Sequence, residues 1–392
     1  MIEARASKIE DPVEKLRFLR KTERRVHQVE TVLGRPQYWW LRSRKFWLAA
    51  ACLLLIPTYS LLSRRTASAN LPEPPSAARA RPVKEDPLEK TWLVESRGGV
   101  ETWSNGLRIE TKYATNNRPR EYYVWNRNQP NSLLTQLPSR QAAGIVFHTT
   151  ESTLEELEEQ KTRRLKLLGE SLLQYVQKEK AYHYVIDRFG RVFRVVAEND
   201  AANHAGKSVW ADDQWAYISL NDSFLAVSFE TQTRPGDEAP IISQGQLDSG
   251  RMLTRMLRAR YNIPAANCVT HAQVSINPAN FQIGYHTDWA GNFPFEAFGL
   301  PDNYDQPLAS LYLFGFNYDG TFFAATGARM WKGVVSSEDI LRARAQQDSV
   351  SVAQLRTQLR NHYRRLSALL PDYRRTDAAP ESTLSSTQQE TP

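Results

Sequence analysis

Five of the seven histidines in this 392-residue chain fall between positions 148 and 286: His148, His183, His204, His271 and His286. A lone histidine in a folded domain is usually a hydrogen-bonded structural residue. Two of these, however, stand at the ends of short apolar runs, Gly144–Thr149 (GIVFHT) and Cys268–His271, both read as buried strands. Strand ends present side chains to a shared cleft, and two rigidly held imidazoles suit Zn²⁺. A catalytic zinc takes three protein ligands and keeps one open position, and Asp288 in His286-Thr287-Asp288 can serve as an oxygen donor. No HExxH motif occurs, which excludes the helical metalloprotease arrangement. Glu230 closes the apolar run FLAVSFE. A carboxylate buried there is costly unless paired or functional. It reads as a general base for a water near the metal, against the plainer reading of an ion pair at the strand edge.

Such residues need elements to hold them. Between 141 and about 296, strands alternate with helices. Leu154, Leu157, Leu165, Leu168, Leu172 and Val176 recur at helical spacing and predict an amphipathic helix. Tyr184–Asp187 and Val192–Val196 flank Arg188-Phe189-Gly190 as a hairpin, and Phe224–Glu230 is a further strand. Gln244–Tyr261 is a second helix, stopped before Pro264. The expected fold is α/β, a mixed central β-sheet flanked by helices over 141–300. A β-rich accessory segment at 91–140 precedes it. There Asn105-Gly106, between VETW and LRIETKY, signals a hairpin, and Glu121–Trp125 reads as an aromatic strand. Residues 301–375 read as a hairpin around Asp319-Gly320 followed by Arg-rich helices. Their stripe is Val352, Leu355, Leu359, Tyr363, Leu366 and Leu370, with capping-box spacing at Ser351 and Gln354. The Ser/Thr/Gln/Pro-rich stretch 376–392 reads as a disordered tail.

The chain has 50 Lys+Arg and 43 Asp+Glu, a net charge of +7 that is unevenly spread. Residues 1–45 carry +6 and residues 341–375 another +6, leaving −5 for the rest. Basicity therefore belongs to the flanks, and no nucleic-acid partner is expected. Residues 1–45 read as a basic cytoplasmic tail. Phe46–Leu62 (FWLAAACLLLIPTYSLL) is 17 residues long, within the roughly 17–25 that span a bilayer, and reads as a transmembrane helix. Trp39, Trp40 and Trp47 suit the interface, and Arg42, Arg44 and Lys45 the cytoplasmic side. A cleavable signal ending at Ala67-Ser68-Ala69 is the alternative, opposed by the length of the charged leader. Residues 63–90, with Pro72, Pro74, Pro75, Pro82 and Pro87, form a tether. The expectation is a single-pass protein of the inner membrane, N-terminus cytoplasmic and catalytic domain periplasmic or extracytoplasmic. Cys52 lies in the span and Cys268 has no mate outside it, so no disulfide is expected.

Six pieces in order carry a resemblance: GIVFHTTES, YHYVIDRFGRVFRVV, NHAGKS, LAVSFE, VTHAQ and HTDWAGNFPF. Over 141–296 the chain resembles the zinc amidase domain of type 2 N-acetylmuramoyl-L-alanine amidases, related to peptidoglycan recognition proteins. The resemblance implies His148 and His271 as zinc ligands with Asp288 as the third, and Glu230 as the catalytic glutamate. It also implies substrate contacts at Tyr182, His204 and Ser208. Two departures stand out. Asp288-Trp289-Ala290-Gly291 replaces the family's Asp-Pro-Gly, and the loop from His271 to Asp288 is long. His286 occupies the place where relatives carry Lys or Thr, a catalytic assistant there or itself the third ligand in place of Asp288. The implied reaction is hydrolysis of the amide between N-acetylmuramic acid and L-alanine in peptidoglycan. The alternative is a non-catalytic peptidoglycan-binding module on the same fold.

Overall fold

The structure, a computed structural model, describes residues 87–129, 132–233 and 242–370. The expected basic tail, the span at 46–62 and the 376–392 tail lie outside the described residues. No helix among the described residues is long and apolar enough to cross a membrane.

The described residues begin with three antiparallel strands, β1 (Leu93–Arg97), β2 (Val100–Trp103) and β3 (Arg108–Glu110). Sequence reading found the second turn at Asn105-Gly106 but not the first. Gly98 and Gly99 both take positive φ, 59° and 75°, as a tight hairpin turn between right-twisted strands requires. Next come β4 (Val124–Asn126) and the fully buried β5 (Gly144–Thr149). Helix α1 spans Thr162–Glu179, later than the leucine spacing from Leu154 predicts. The hairpin β6 (Tyr184–Ile186) and β7 (Val192–Arg194) follows, then β8 (Val209–Ala211) and β9 (Trp215–Ile218). The short helix α2 (Leu220–Ser223) leads into β10 (Phe224–Phe229). Helix α3 (Gln244–Tyr261) matches its predicted bounds and starts on a Ser243/Gln246 capping box. After it come β11 (Cys268–Thr270) and the four-residue helix α4 (His271–Val274).

These strands form one eight-stranded sheet in the order β1-β2-β3-β7-β6-β10-β5-β11. Its centre is parallel, with β10 between β5 and β6 and β11 beyond β5. The 91–140 segment thus extends the central sheet, because β3 pairs with β7. β4, β9 and β8 form a separate three-stranded sheet. One face of the central sheet packs Ile145, Phe147, Val227 and Phe229 with Leu253, Met256 and Leu257 of α3. On another, Val185, Phe193 and Val195 meet Leu173 and Val176 of α1. Gly144 is required at the start of β5: a Cβ there would stand 2.2 Å from the Phe224 ring.

From residue 303 to residue 369 the regular elements are helices. The hairpin expected at Asp319-Gly320 is absent. Asp319 instead caps a helix with its side chain, accepting from the N–H groups of Thr321 and Phe322. An Asp-Gly pair serves a turn or a helix start equally well, and no paired strand flanks this one. The helices here are α5 (Ala309–Tyr312), α6 (Gly320–Ala325), α7 (Lys332–Gln347) and α8 (Val352–Leu369). The Ser351/Gln354 capping box of α8 forms as its spacing predicts. Tyr363 and Leu366 reach the main core, and Tyr363 packs edge-on against Phe281, Phe314 and Phe316.

Candidate metal centre

The carboxyl ends of the parallel strands place the site. His148 is the fifth residue of β5, and His271 opens α4 directly after β11. Asp288 lies between them: its Oδ2 is 2.9 Å from His148 Nδ1, and its Oδ1 is 2.8 Å from His271 Nδ1. All three are buried, and their ligand atoms fall within 4.8 Å of one another. The Asp288 backbone is tied to the same helix, its carbonyl accepting from the Ala272 N–H.

Burial, the neighbouring His271 and the other ring at His286 lower the His148 pKa to about 4, against the pull of Asp288. His148 is therefore neutral at pH 7. Burial alone would raise the Asp288 pKa, but His271 and His148 hold it well below the carboxylate range. One hard oxygen donor and two imidazoles form a zinc-type donor set. His271 Nε2 is buried without a hydrogen-bond partner. The residues fit a zinc ion.

Around this group the structure orders the remaining candidates. His204 Nδ1 lies 3.1 Å from His148 Nε2. The loop bearing it is clamped by Asn221, whose Oδ1 accepts from three successive N–H groups, those of His204, Ala205 and Gly206. The Tyr182 ring lies tilted at 45° to that of His148, with centroids 5.1 Å apart, and burial pushes its hydroxyl pKa upward. His286 is exposed, lies parallel to His271 at 4.7 Å, and has its backbone N–H held by Ser275 Oγ. Desolvation and the nearby His271 depress its pKa to about 4. Of the two rival third ligands, Asp288 belongs to the close group and His286 stacks beside it.

Two expected residues stand elsewhere. Ser208 is 1% exposed; its Oγ accepts from the Leu220 N–H, so it braces backbone rather than lining the cleft. Glu230 is one residue past β10, where Thr231 N–H already turns back to the Phe229 carbonyl. Its Oε2 accepts from the Arg188 N–H at the hairpin tip, and the charges acting on it are Asp187, Arg188 and Arg191. The β10 residue level with His148 is Ser228. Sequence reading passed over Ser228, although parallel register and strand alternation put it in phase with the histidine.

It also passed over Arg120. That guanidinium is 1% exposed, donates to the carbonyls of Glu198, Asp200, Asp222 and Phe224, and lies 2.8 Å from His183 Nε2. His183 in turn accepts from the Ala226 N–H at Nδ1 and stands edge-on to His204, 5.9 Å between centroids.

The family described as N-acetylmuramoyl-L-alanine amidase matches residues 138–288. Residues 138–288 belong to the type 2 N-acetylmuramoyl-L-alanine amidase family. Among curated proteins no sequence matches the chain. Solved structures similar to the amidase domain include AmpDh3 of Pseudomonas aeruginosa in complex with an anhydromuramic pentapeptide. It shows 21% identity over 55% of this chain and 96% of that one, with a TM-score of 0.35. The N-acetylmuramyl-L-alanine amidase AmiD of E. coli shows 16% identity over 62% and 98%, TM-score 0.35. The amidase LysC of Clostridium intestinale shows 22% over 40% and 83%, TM-score 0.26. The family match ends at Asp288 and begins after Arg120, so the buried arginine of the amidase core lies outside it.

Proposed function

We propose that this protein hydrolyses the amide between N-acetylmuramic acid and L-alanine in peptidoglycan, with zinc at His148, His271 and Asp288. The observation that carries the reading is that close, buried group inside a domain of the amidase family. A zinc ion there would supply Lewis-acid polarisation of the scissile carbonyl and acidify a water. The chain's own residues do the rest. His204 accepts from the His148 Nε2–H and fixes that ring's tautomer, leaving Nδ1 for the ion. His286, neutral at pH 7 and exposed at the mouth, has one nitrogen to accept a proton and one N–H to offer a developing oxyanion. Tyr182, its ring beside that of His148, orients the substrate carbonyl. The proton transfer expected of Glu230 passes in this reading to His286, because the Glu230 carboxylate is engaged at the hairpin tip. We further propose that residues 46–62 anchor the enzyme in the inner membrane with the amidase domain outside it, a reading supported by the sequence alone.

The test is digestion of purified peptidoglycan by the protein with and without a chelator, with products identified by mass. Free stem peptides bearing an L-alanine N-terminus, lost on chelation, are expected. Cut glycan with intact stems would reject the reading. A second reading, a metal-bearing muropeptide-binding module, is favoured by Ser228 rather than a carboxylate standing level with His148. Retention on insoluble peptidoglycan without release of peptide would select it.

A further inference from the structure

The segments bearing His271 and Asp288 are bridged by residues beyond the family match, which ends at Asp288. Asn303 and Tyr304, both buried, share a single 3₁₀ turn, Asn303–Asp305. Asn303 Nδ2 donates to the carbonyls of Ala265 and Cys268, at 2.8 and 2.7 Å, and the Asn303 carbonyl accepts from Gln273 Nε2 at 2.7 Å. Cys268 and Gln273 flank His271 in the chain. The next residue serves the other ligand. Tyr304 Oη donates to the Trp289 carbonyl at 2.6 Å and accepts from the Phe293 N–H at 3.3 Å. Trp331 Nε1 donates to the Ala290 carbonyl at 3.0 Å, and its ring lies 4.9 Å from that of Tyr304. Trp289 needs such holding. It takes φ +56°, a left-handed conformation that a bulky side chain rarely adopts, where a proline would be fixed near a φ of about −65°. The Trp289-Ala290-Gly291 turn that stands in place of Pro-Gly is thus held by the side chains of Tyr304 and Trp331, with the Trp289 N–H donating to Thr233 Oγ1.

We propose that Asn303 and Tyr304 are positioning residues of the metal centre. One dipeptide, bonded to the His271 segment at its first residue and to the Asp288 segment at its second, sets the separation of the two ligands, and Trp331 supports it. The proposal rests on the reading of His148, His271 and Asp288 as a zinc centre. The four carbonyls held in this way belong to buried residues, Ala265, Cys268, Trp289 and Ala290, where a lost partner is not replaced by water. The bracket works beside the direct backbone tie, in which the Ala272 N–H donates to the Asp288 carbonyl at 3.2 Å. Contacts of this kind orient the residues that hold a metal and thereby set its affinity.

The experiment uses the full-length protein, loaded with zinc or with cobalt(II) in its place. Tyr304→Phe removes a hydroxyl and keeps the ring, and Trp331→Phe removes the indole N–H. Ser337→Ala is the control: Ser337 is buried in the same helical region, accepting from the Leu308 N–H and donating to the Gly333 carbonyl. Competition against a chromophoric chelator is expected to show zinc bound roughly 10- to 100-fold more weakly by Tyr304→Phe. A smaller loss is expected in Trp331→Phe and none in Ser337→Ala, although all three melt below the wild type. The visible bands of the cobalt protein, which report ligand geometry, are expected to shift in the first two variants and not in the control. If Tyr304→Phe folds poorly, Trp331→Phe decides. Wild-type zinc affinity and cobalt bands in both, with only melting lowered, overturn the proposal and leave the amidase reading standing. An equal loss of affinity in the control overturns it as well. Release of stem peptides from peptidoglycan is followed in parallel. A wild type that binds zinc and releases no peptide, with weakened binding in the two variants, supports the bracket and overturns the amidase reading alone. A wild type that binds no zinc overturns both.

Discussion

His204 Nδ1 stands 3.1 Å from Nε2 of His148, while the other nitrogen of His148 faces Asp288 at 2.9 Å. One imidazole thus connects a loop to the metal centre, and its two nitrogens have different duties. An imidazole that gives Nδ1 to an ion carries its proton on Nε2, and a partner accepting that proton fixes both tautomer and ring angle. A neutral histidine suits that role, and burial beside His148 and His183 keeps the His204 pKa well below its ordinary value.

His204→Ala is expected to fold and to bind zinc roughly 10- to 100-fold more weakly, the usual cost of losing such a partner. Competition titration against a chromophoric chelator measures this directly. Affinity equal to the wild type would show that His204 does not orient the ligand. His148→Ala, by contrast, is expected to lose stoichiometric metal altogether.

The loop carrying His204 depends on residues far away in sequence. Arg118 pairs with Asp222 at 2.7 Å, Asn117 Nδ2 donates to the Ala201 carbonyl, and Arg120 binds carbonyls on both sides of the loop. Replacing Arg120 with Met strands at least three buried carbonyls, each worth about 1–3 kcal/mol if unsatisfied. The expected loss is about 3–5 kcal/mol of unfolding free energy in urea, with relaxation absorbing part of the sum. For the same reason a chain beginning at residue 138, where the family match starts, is expected not to fold. A cooperative thermal transition in that fragment would contradict it.

Local signals made much of this legible. The apolar runs gave β5 and β10, the Ser351/Gln354 capping box gave the start of α8, and the histidines at strand ends gave two members of the close His148, His271 and Asp288 group. What stayed hidden was set by tertiary partners. Nothing local distinguishes Arg120 from a surface arginine, since its partners lie about 80 and 100 residues away. Glu230 shows a related limit: closing an apolar strand fixes its burial, but its carboxylate partner is the Arg188 N–H on the neighbouring hairpin. The Asp319-Gly320 pair shows the same limit, because a helix cap and a hairpin turn use the same residues.

His286 offers the sharpest test of the chemistry. It stacks on His271 yet is absent from the ligand group, so His286→Ala is expected to retain zinc and lose turnover. Loss of one well-placed donor or proton carrier lowers kcat about 10²–10³-fold. His286→Lys should recover part of it, since an ammonium can also donate to an oxyanion. Loss of metal in His286→Ala would instead place it among the ligands.

Glu230→Gln separates stability from function through pH. Burial raises the Glu230 pKa above its ordinary 4.5, so the folded state favours the protonated carboxyl. The stability associated with that preference is fully present below the unfolded pKa and is lost as pH rises through the raised value. Above that value the wild type holds an ionised, desolvated carboxylate, while the amide of the variant is neutral and still accepts from the Arg188 N–H. The variant is expected to melt above the wild type at pH 7 and level with it below about pH 4, where both side chains are uncharged. A melting difference of opposite sign at pH 7 would mean that Glu230 has a cationic partner in the folded protein.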